Sequence, residues 1–212
     1  MAELMLQNRK IEPPYLLQRF GVSVAEFEEI TDEDLKAELM DGVMIVHSPA
    51  TLRHDDLLGF LLFLVRGYAE SQQWGKVLGP NAIMQLGERR RFAPDLMFIR
   101  RERLRLPLAK QFQGAADWVI EILSEHTRSY DLREKRTIYQ EAGIAEIWFI
   151  DGEEQRVIAD RRRGGGYEET VISTGRVNAE VLPGFWLDAA WLWLDQLPNP
   201  LASLEQILKS NQ

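Results

Sequence analysis

The chain has 212 residues, of which 45% are hydrophobic and 27% charged, and it carries a net charge of −8. That size and balance fit one well-buried domain, no apolar run approaches the roughly 20 residues of a membrane span, and the acidic total excludes a protein that coats nucleic acid without specificity. The absence of cysteine excludes disulfides, thiolate metal sites and cysteine nucleophiles.

The opening stretch MAELMLQNRKIEPPY lacks the basic-then-apolar order of a signal peptide, so the cytoplasm is the expected compartment. Residues 1–22, with Pro13 and Pro14, read as an extended lead-in to a single domain over 23–195, and 196–212 as a C-terminal helix and tail. Ser23 followed by Glu26 has capping-box spacing and predicts a short helix over Val24–Ile30. Ala37–Met40 and Val43–His47 flank Asp41-Gly42, a pair that tolerates positive φ, and predict a hairpin. From Thr51 to about Trp74, Leu57, Leu58, Leu61, Leu64, Val65 and Tyr68 recur at spacings of three and four, the pattern of the main core helix. Lys76–Leu78 and Ala82–Leu86 read as strand material broken at Gly79-Pro80. Phe92–Ile99 reads as one strand that Pro94 keeps from full pairing at its start. A charged stretch, Arg100–Gln113, follows.

The next strand, Trp118–Leu123, is apolar enough to be buried on both faces, yet it contains an acid. Alternation puts Trp118, Ile120 and Ile122 on one side and Val119, Glu121 and Leu123 on the other. A carboxylate in such company costs several kcal/mol, roughly, unless a cation, a metal or hydrogen bonds compensate it. Asp95 is a second anomaly at the entrance of an apolar run, although a Pro-Asp pair is also an ordinary turn. Two acids in or beside adjacent apolar strands repel unless a divalent cation lies between them, and hard cations such as Mg²⁺ take carboxylates, water and phosphate oxygens.

The following helix is expected to start near Asp131, capped by its side chain with Glu134 reciprocating, and to end at Gly143 as the C′ glycine. Lys135, one turn in, either pairs with Asp131 at i,i+4, worth about 0.3–0.5 kcal/mol, or points back at the acids. Ala145–Ile150 is another apolar strand, and strand, helix and strand in this order suggest a βαβ crossover. Val157–Ala159 and Tyr167–Ile172 form a hairpin around Gly164–Gly166. Trp186, Trp191 and Trp193 either close the core edge or make a dimer contact. Arg89, Arg90 and Arg91, with Arg100, Arg101, Arg103 and Arg105, flank Asp95, and Arg161, Arg162 and Arg163 form a third cluster. These arginines are either solvated strand ends or a functional basic patch. The fold class is α/β or α+β with a mixed sheet.

The stretches AELMDG (37–42), SPATLRH (48–54), APDLMFI (93–99), DWVIEILSEHTRSYDLREKRTIYQEAGIAEIWFID (117–151) and LPGF (182–185) resemble the Uma2 (DUF820) endonuclease family, in the family's order. That family is a branch of the PD-(D/E)XK restriction-endonuclease-like superfamily. The resemblance implies an αβββαβ core with a mixed central sheet, an N-terminal helix and hairpin, and a C-terminal hairpin. It implies Asp95 and Glu121 as catalytic, metal-binding acids, Glu38 as a further metal-site acid, and Mg²⁺ or Mn²⁺ as cofactor. The superfamily motif has lysine two positions after the second acid, where this chain has Leu123; Lys135 on the next helix matches the Uma2 pattern instead. His54 matches a family position, either beside the site or taking part in it.

The implied reaction is metal-assisted hydrolysis of phosphodiester bonds in nucleic acid, DNA in the first place, with the Ile122 carbonyl as a further ligand. Two other readings stand beside it. One is a nuclease fold that binds nucleic acid or a protein without cutting, in keeping with the net charge of −8 and the displaced lysine. The other is a glycosidase-type acid pair, which needs carboxyls about 5–10 Å apart in an aromatic cleft. A homodimer is expected, because one acidic subunit offers limited surface to a duplex.

Overall fold

The computed structural model describes residues 15–31, 35–105 and 107–210, together with the backbone of 5–6 and 9–10. Pro13 and Pro14 lie outside the described residues. The short strands β1 (Met5–Leu6) and β2 (Arg9–Lys10) pair with each other, followed by β3 (Leu16–Phe20), α1 (Val24–Ile30), β4 (Ala37–Met40) and β5 (Val43–His47). Next come α2 (Leu52–Ser71), β6 (Gly75–Leu78), β7 (Ile83–Gln85), β8 (Arg90–Phe92), β9 (Leu96–Arg100), β10 (Gln111–Gln113) and β11 (Trp118–Ile122). A composite helix joins α3 (Arg128–Tyr130), a π turn (Asp131–Lys135) and α4 (Arg136–Glu141). The chain closes with β12 (Glu146–Asp151), β13 (Arg156–Arg163), β14 (Gly166–Ile172), β15 (Arg176–Asn178), β16 (Trp186–Asp188) and α5 (Pro200–Lys209).

Twelve of these strands build two six-stranded sheets, ordered β10-β7-β8-β4-β5-β3 and β14-β13-β12-β11-β9-β6, and β15 pairs with β16 apart from them, so the fold is a mixed α+β one. In the second sheet, α2, β6, β9, β11, the composite helix and β12 give the expected αβββαβ order. β11 and β12 are parallel neighbours, with Trp118 opposite Glu146, as a helix-bearing crossover requires. β9 runs antiparallel to β11.

One expected strand is divided between the sheets, and the expected break at Gly79-Pro80 also separates them. Phe92–Ile99 separates into β8 in the first sheet and β9 in the second, because Pro94 has no N–H for a ladder and turns the chain between them. The chain also changes sheet at Gly79-Pro80, between β6 and β7. Leu16–Phe20, read as lead-in, pairs with β5 as an edge strand. The composite helix starts at Arg128 rather than near Asp131. Ser124 and Thr127 shape its beginning, their hydroxyls 2.9 Å apart and the Ser124 carbonyl accepting from Arg128 N at 2.8 Å, which leaves Asp131 inside and buried.

Other local expectations hold. Ser23 caps α1, its Oγ accepting from Glu26 N at 3.1 Å, although the Glu26 carboxylate turns to Arg19 instead of completing the box. Asp41 and Gly42 have φ of 49° and 92° in the β4–β5 turn, and Gly143 ends the composite helix at φ 77°. The alternation in β11 is observed: Trp118, Ile120 and Ile122 join the core beneath α2, while Val119 and Leu123 pack with Phe92, Met97 and Tyr139. Trp118 and Trp148 stack edge to face at 4.6 Å inside that first core. Trp186 and Trp191, with ring centroids 5.4 Å apart, close its edge, so they give no argument for a dimer. No helix among the described residues is long and apolar enough to cross a membrane.

Candidate active site

The break at Pro94 places Asp95 at the junction of the two sheets. Pairing of β9 with β11 ends at Leu96 opposite Ile120, and the Ile122 N–H beyond it donates to Asp95 Oδ2 at 2.8 Å. Glu121, next to that amide, points to the side of β11 that the composite helix covers. Its Oε1 accepts from Tyr139 OH and Lys135 Nζ, both at 2.7 Å. Among the described residues its Oε2 meets only the Asp95 amide, at 3.4 Å.

Lys135 comes from the π turn, where Arg136 N–H reaches back five residues to the Asp131 carbonyl. Such one-turn π segments widen a helix and recur at functional sites. The ammonium has three N–H donors and three carboxylate neighbours: Glu121 at 2.7 Å, Glu38 at 3.0 Å and Asp131 at 3.6 Å. Tyr130 and Tyr139 lie beneath it, with ring centroids at 6.0 and 5.8 Å. Glu38, on β4, is surrounded in turn. Besides Lys135 it meets His47 Nε2 at 3.0 Å, Ala93 N at 3.1 Å and Tyr130 OH at 3.2 Å.

His54 sits in the first turn of α2, which Thr51 caps by accepting from His54 N at 3.2 Å. Its Nε2 lies 3.2 Å from Asp95 Oδ2, and its Nδ1 is buried without a hydrogen-bond partner among the described residues. Lys36 completes the group: its Nζ donates to Asp95 Oδ1 at 2.8 Å.

The structure thus brings Asp95, Glu121, Lys135, Glu38 and His54 together. Sequence reasoning missed Lys36, His47, Tyr130 and Tyr139. For Lys36 a signal existed, since it lies two residues before Glu38 and strand spacing puts both on one face. His47 faces Glu38 from the neighbouring strand of the predicted hairpin, and Tyr139 lies one turn beyond Lys135. Tyr130 carried no comparable signal.

Four buried carboxylates, of Glu38, Asp95, Glu121 and Asp131, face two ammoniums, of Lys36 and Lys135, with the His54 imidazole beside Asp95 and that of His47 beside Glu38. Burial pushes the Glu121 carboxyl up; Lys135 opposes this, but Asp95, Asp131 and Glu38 add their charges, and it stands at about 7. Burial would raise Asp95 as well, yet Lys36 and His54 outweigh it and hold that carboxyl well below the usual range. Burial works against ionised Glu38 in the same way and is outweighed by Lys135 and His47. For Lys135, burial acts to lower the pKa, and Glu121 with Glu38 raises it well above the ordinary lysine value.

The donor set suits a hard divalent cation: carboxylate oxygens of Asp95 and Glu121 on one cavity, and an oxygen of Glu121 with one long contact. Among the described residues no three of His, Asp and Glu form a ligand cluster by themselves. Lys135 lies between Glu38 and Glu121, so the acids divide into the pair Asp95 and Glu121 and a separate Glu38. Asp95, Glu121, Lys36, His54 and Ile122 line a cavity of about 90 Å³, which Glu38 does not reach. A larger hollow of about 680 Å³ adjoins it at His54, Ile122 and Ser124.

The arginine clusters are largely committed elsewhere. Arg90 pairs with Asp41 and Glu141, Arg103 with Asp117, Arg161 with Glu146 and Arg163 with Glu180. With Arg91 on Glu28 and Arg100 on Asp117, six of the ten clustered arginines are paired with acids, and the basic-patch reading loses that many members. The glycosidase reading loses its aromatic cleft, because Trp118 and Trp148 are fully buried.

The family model of Uma2, described as "Putative restriction endonuclease", matches residues 24–190. Among solved structures, the fold is similar to the crystal structure of a "putative nuclease belonging to DUF820" from Anabaena variabilis. The TM-score is 0.72 over 81% of this chain and 97% of that chain, at 20% identity, a likeness of fold alone. No curated protein matches the sequence. The family match spans most of the chain and contains both acids and both lysines of the site, and the chain belongs to the Uma2 family.

Proposed function

We propose that this protein hydrolyses phosphodiester bonds of nucleic acid, DNA in the first place, using Mg²⁺ or Mn²⁺ held by Asp95 and Glu121. The observation that carries the reading is the buried Asp95–Glu121 pair lining one small cavity, with Glu121 Oε2 held by a single long contact among the described residues; membership of a family described as "Putative restriction endonuclease" agrees with it. A divalent cation bound there supplies a water of lowered pKa and polarises the phosphate under attack.

The chain's own residues prepare that chemistry. The Ile122 amide and His54 orient Asp95. Lys135 and Tyr139 fix Glu121 Oε1, leaving Oε2 as the oxygen for a cation. Glu38, expected as a metal ligand, has its oxygens occupied and acts instead by anchoring Lys135. Purified protein with Mg²⁺ or Mn²⁺ is expected to nick supercoiled plasmid or cut single-stranded DNA, and Glu121→Gln and Asp95→Asn to abolish cutting. Cleavage that persists in both variants refutes the site. Salt-sensitive DNA binding by the wild type without metal-dependent turnover replaces the nuclease reading with a binding module.

A further inference from the structure

Two lysines flank the acids, and they are placed very differently. Lys135, the one the family pattern points to, is 2% exposed, and its three donors face three carboxylates. To reach a substrate it would have to leave Glu38 and Glu121 unpaired in a buried site, which is strongly unfavourable. Lys36 is 31% exposed, and its one side-chain partner among the described residues is Asp95 Oδ1. Two of its three N–H donors therefore remain for another acceptor.

Its surroundings give such an acceptor room. Lys36 and Lys135 both line the small cavity that holds Asp95 and Glu121, but only Lys36 also lines a hollow of about 420 Å³, with Glu28, Asn81, Lys110 and Gln111. Lys36 thus borders both the cavity of the acids and this second hollow. Of the two lysines only Lys36 borders that hollow, so an anion there reaches its ammonium and not that of Lys135.

We infer that Lys36, and not Lys135, is the lysine that contacts the substrate: its ammonium binds a non-bridging oxygen of the backbone phosphate presented to Asp95, while Lys135 stays as the internal counter-ion of Glu121 and Glu38. This assignment rests on the nucleic-acid reading of the site. It predicts a contact that is electrostatic, solvent-facing and independent of turnover.

The test is binding of a fluorescent 20-nucleotide DNA by anisotropy over a series of NaCl concentrations, without metal and with Mn²⁺. Wild type is compared with Lys36→Met, Lys36→Arg and, as a control for loss of one surface charge, Lys209→Met on exposed α5. Lys36→Met is expected to weaken binding about tenfold at low salt and to lower the slope of log K against log salt by about 0.7–0.9, the signature of one lost phosphate contact. Lys36→Arg and Lys209→Met are expected to keep the wild-type slope. With Mn²⁺ and a cleavable strand, Lys36→Met is expected to raise KM more than it lowers kcat.

A Lys36→Met protein that melts like wild type and keeps its slope overturns the assignment while leaving the nuclease reading intact. DNA binding with the expected slope change but no cutting by wild type upholds Lys36 as the phosphate contact and removes the enzyme. No DNA binding by wild type under either condition removes both.

Discussion

Replacing Lys135 by methionine tests whether the buried network is as tightly coupled as its geometry implies. The substitution keeps most of the side-chain volume and removes the charge between Glu121 at 2.7 Å and Glu38 at 3.0 Å, all three groups being within 3% of complete burial. Removing one partner of a buried ion pair leaves an uncompensated charge and costs about 3–5 kcal/mol. For a chain of this length that is a fall in Tm of roughly 6–20 °C. Glu121→Gln behaves differently. Its carboxyl stands at about 7, so near neutral pH it is partly protonated already, and an uncharged amide also relieves repulsion from Asp95, Asp131 and Glu38. The double variant is therefore expected to be more stable than the sum of the single losses predicts, by about 1–3 kcal/mol of coupling. Urea unfolding at pH 7, followed by tryptophan fluorescence, measures all three. A Lys135→Met loss below about 1 kcal/mol, or strict additivity in the double variant, contradicts the network.

Two further predictions concern its surroundings. Tyr139→Phe removes the 2.7 Å hydrogen bond to Glu121 Oε1 and is expected to cost about 1–3 kcal/mol in the same urea assay; a change of a few tenths would show that the hydroxyl does not hold that oxygen. Asp151 is buried, which acts to raise its carboxyl, but Arg128 and Arg156 outweigh that and hold it below its ordinary 3.8. A depressed carboxyl contributes stability that is present above the unfolded value and is lost as pH falls through the folded one. Between about pH 4 and 2 the wild type is thus expected to lose stability more steeply than Asp151→Asn; parallel acid limbs in thermal melts would contradict the pairing.

Glu121 was legible from local chemistry alone, because an acid in an otherwise apolar strand demands a partner whatever the topology. The alternation along β11, the Asp41-Gly42 turn and the Gly143 helix end were legible for the same reason, each being set within a few residues. The division of Phe92–Ile99 was not. Pro94 announces a break, but only the long-range pairing of β8 with β4 and of β9 with β11 decides that the two halves enter different sheets. Asp131 misled for a related reason: its cap-like spacing with Glu134 is real, yet Ser124 and Thr127 begin the helix earlier and Lys135 holds the acid inside. For Lys36 the spacing to Glu38 gave its face but not its partner: Asp95, 59 residues away, lies 2.8 Å from its ammonium only because the fold joins the two sheets there. Glu38 was identified as part of the site, but its four neighbours come from the π turn, β5, the Ala93 amide and α3, which only folding assembles.

The central claim is that Asp95 and Glu121 together hold a divalent cation. A crystal grown from the full chain and soaked in Mn²⁺, with data collected at the manganese absorption edge, tests it directly. An anomalous peak is expected between the two carboxylates, roughly 2.1 Å from an Asp95 oxygen and from Glu121 Oε2, with Lys135 still bound to Glu38. A peak on Glu38 with Lys135 displaced, or none near Asp95 at millimolar Mn²⁺, contradicts it.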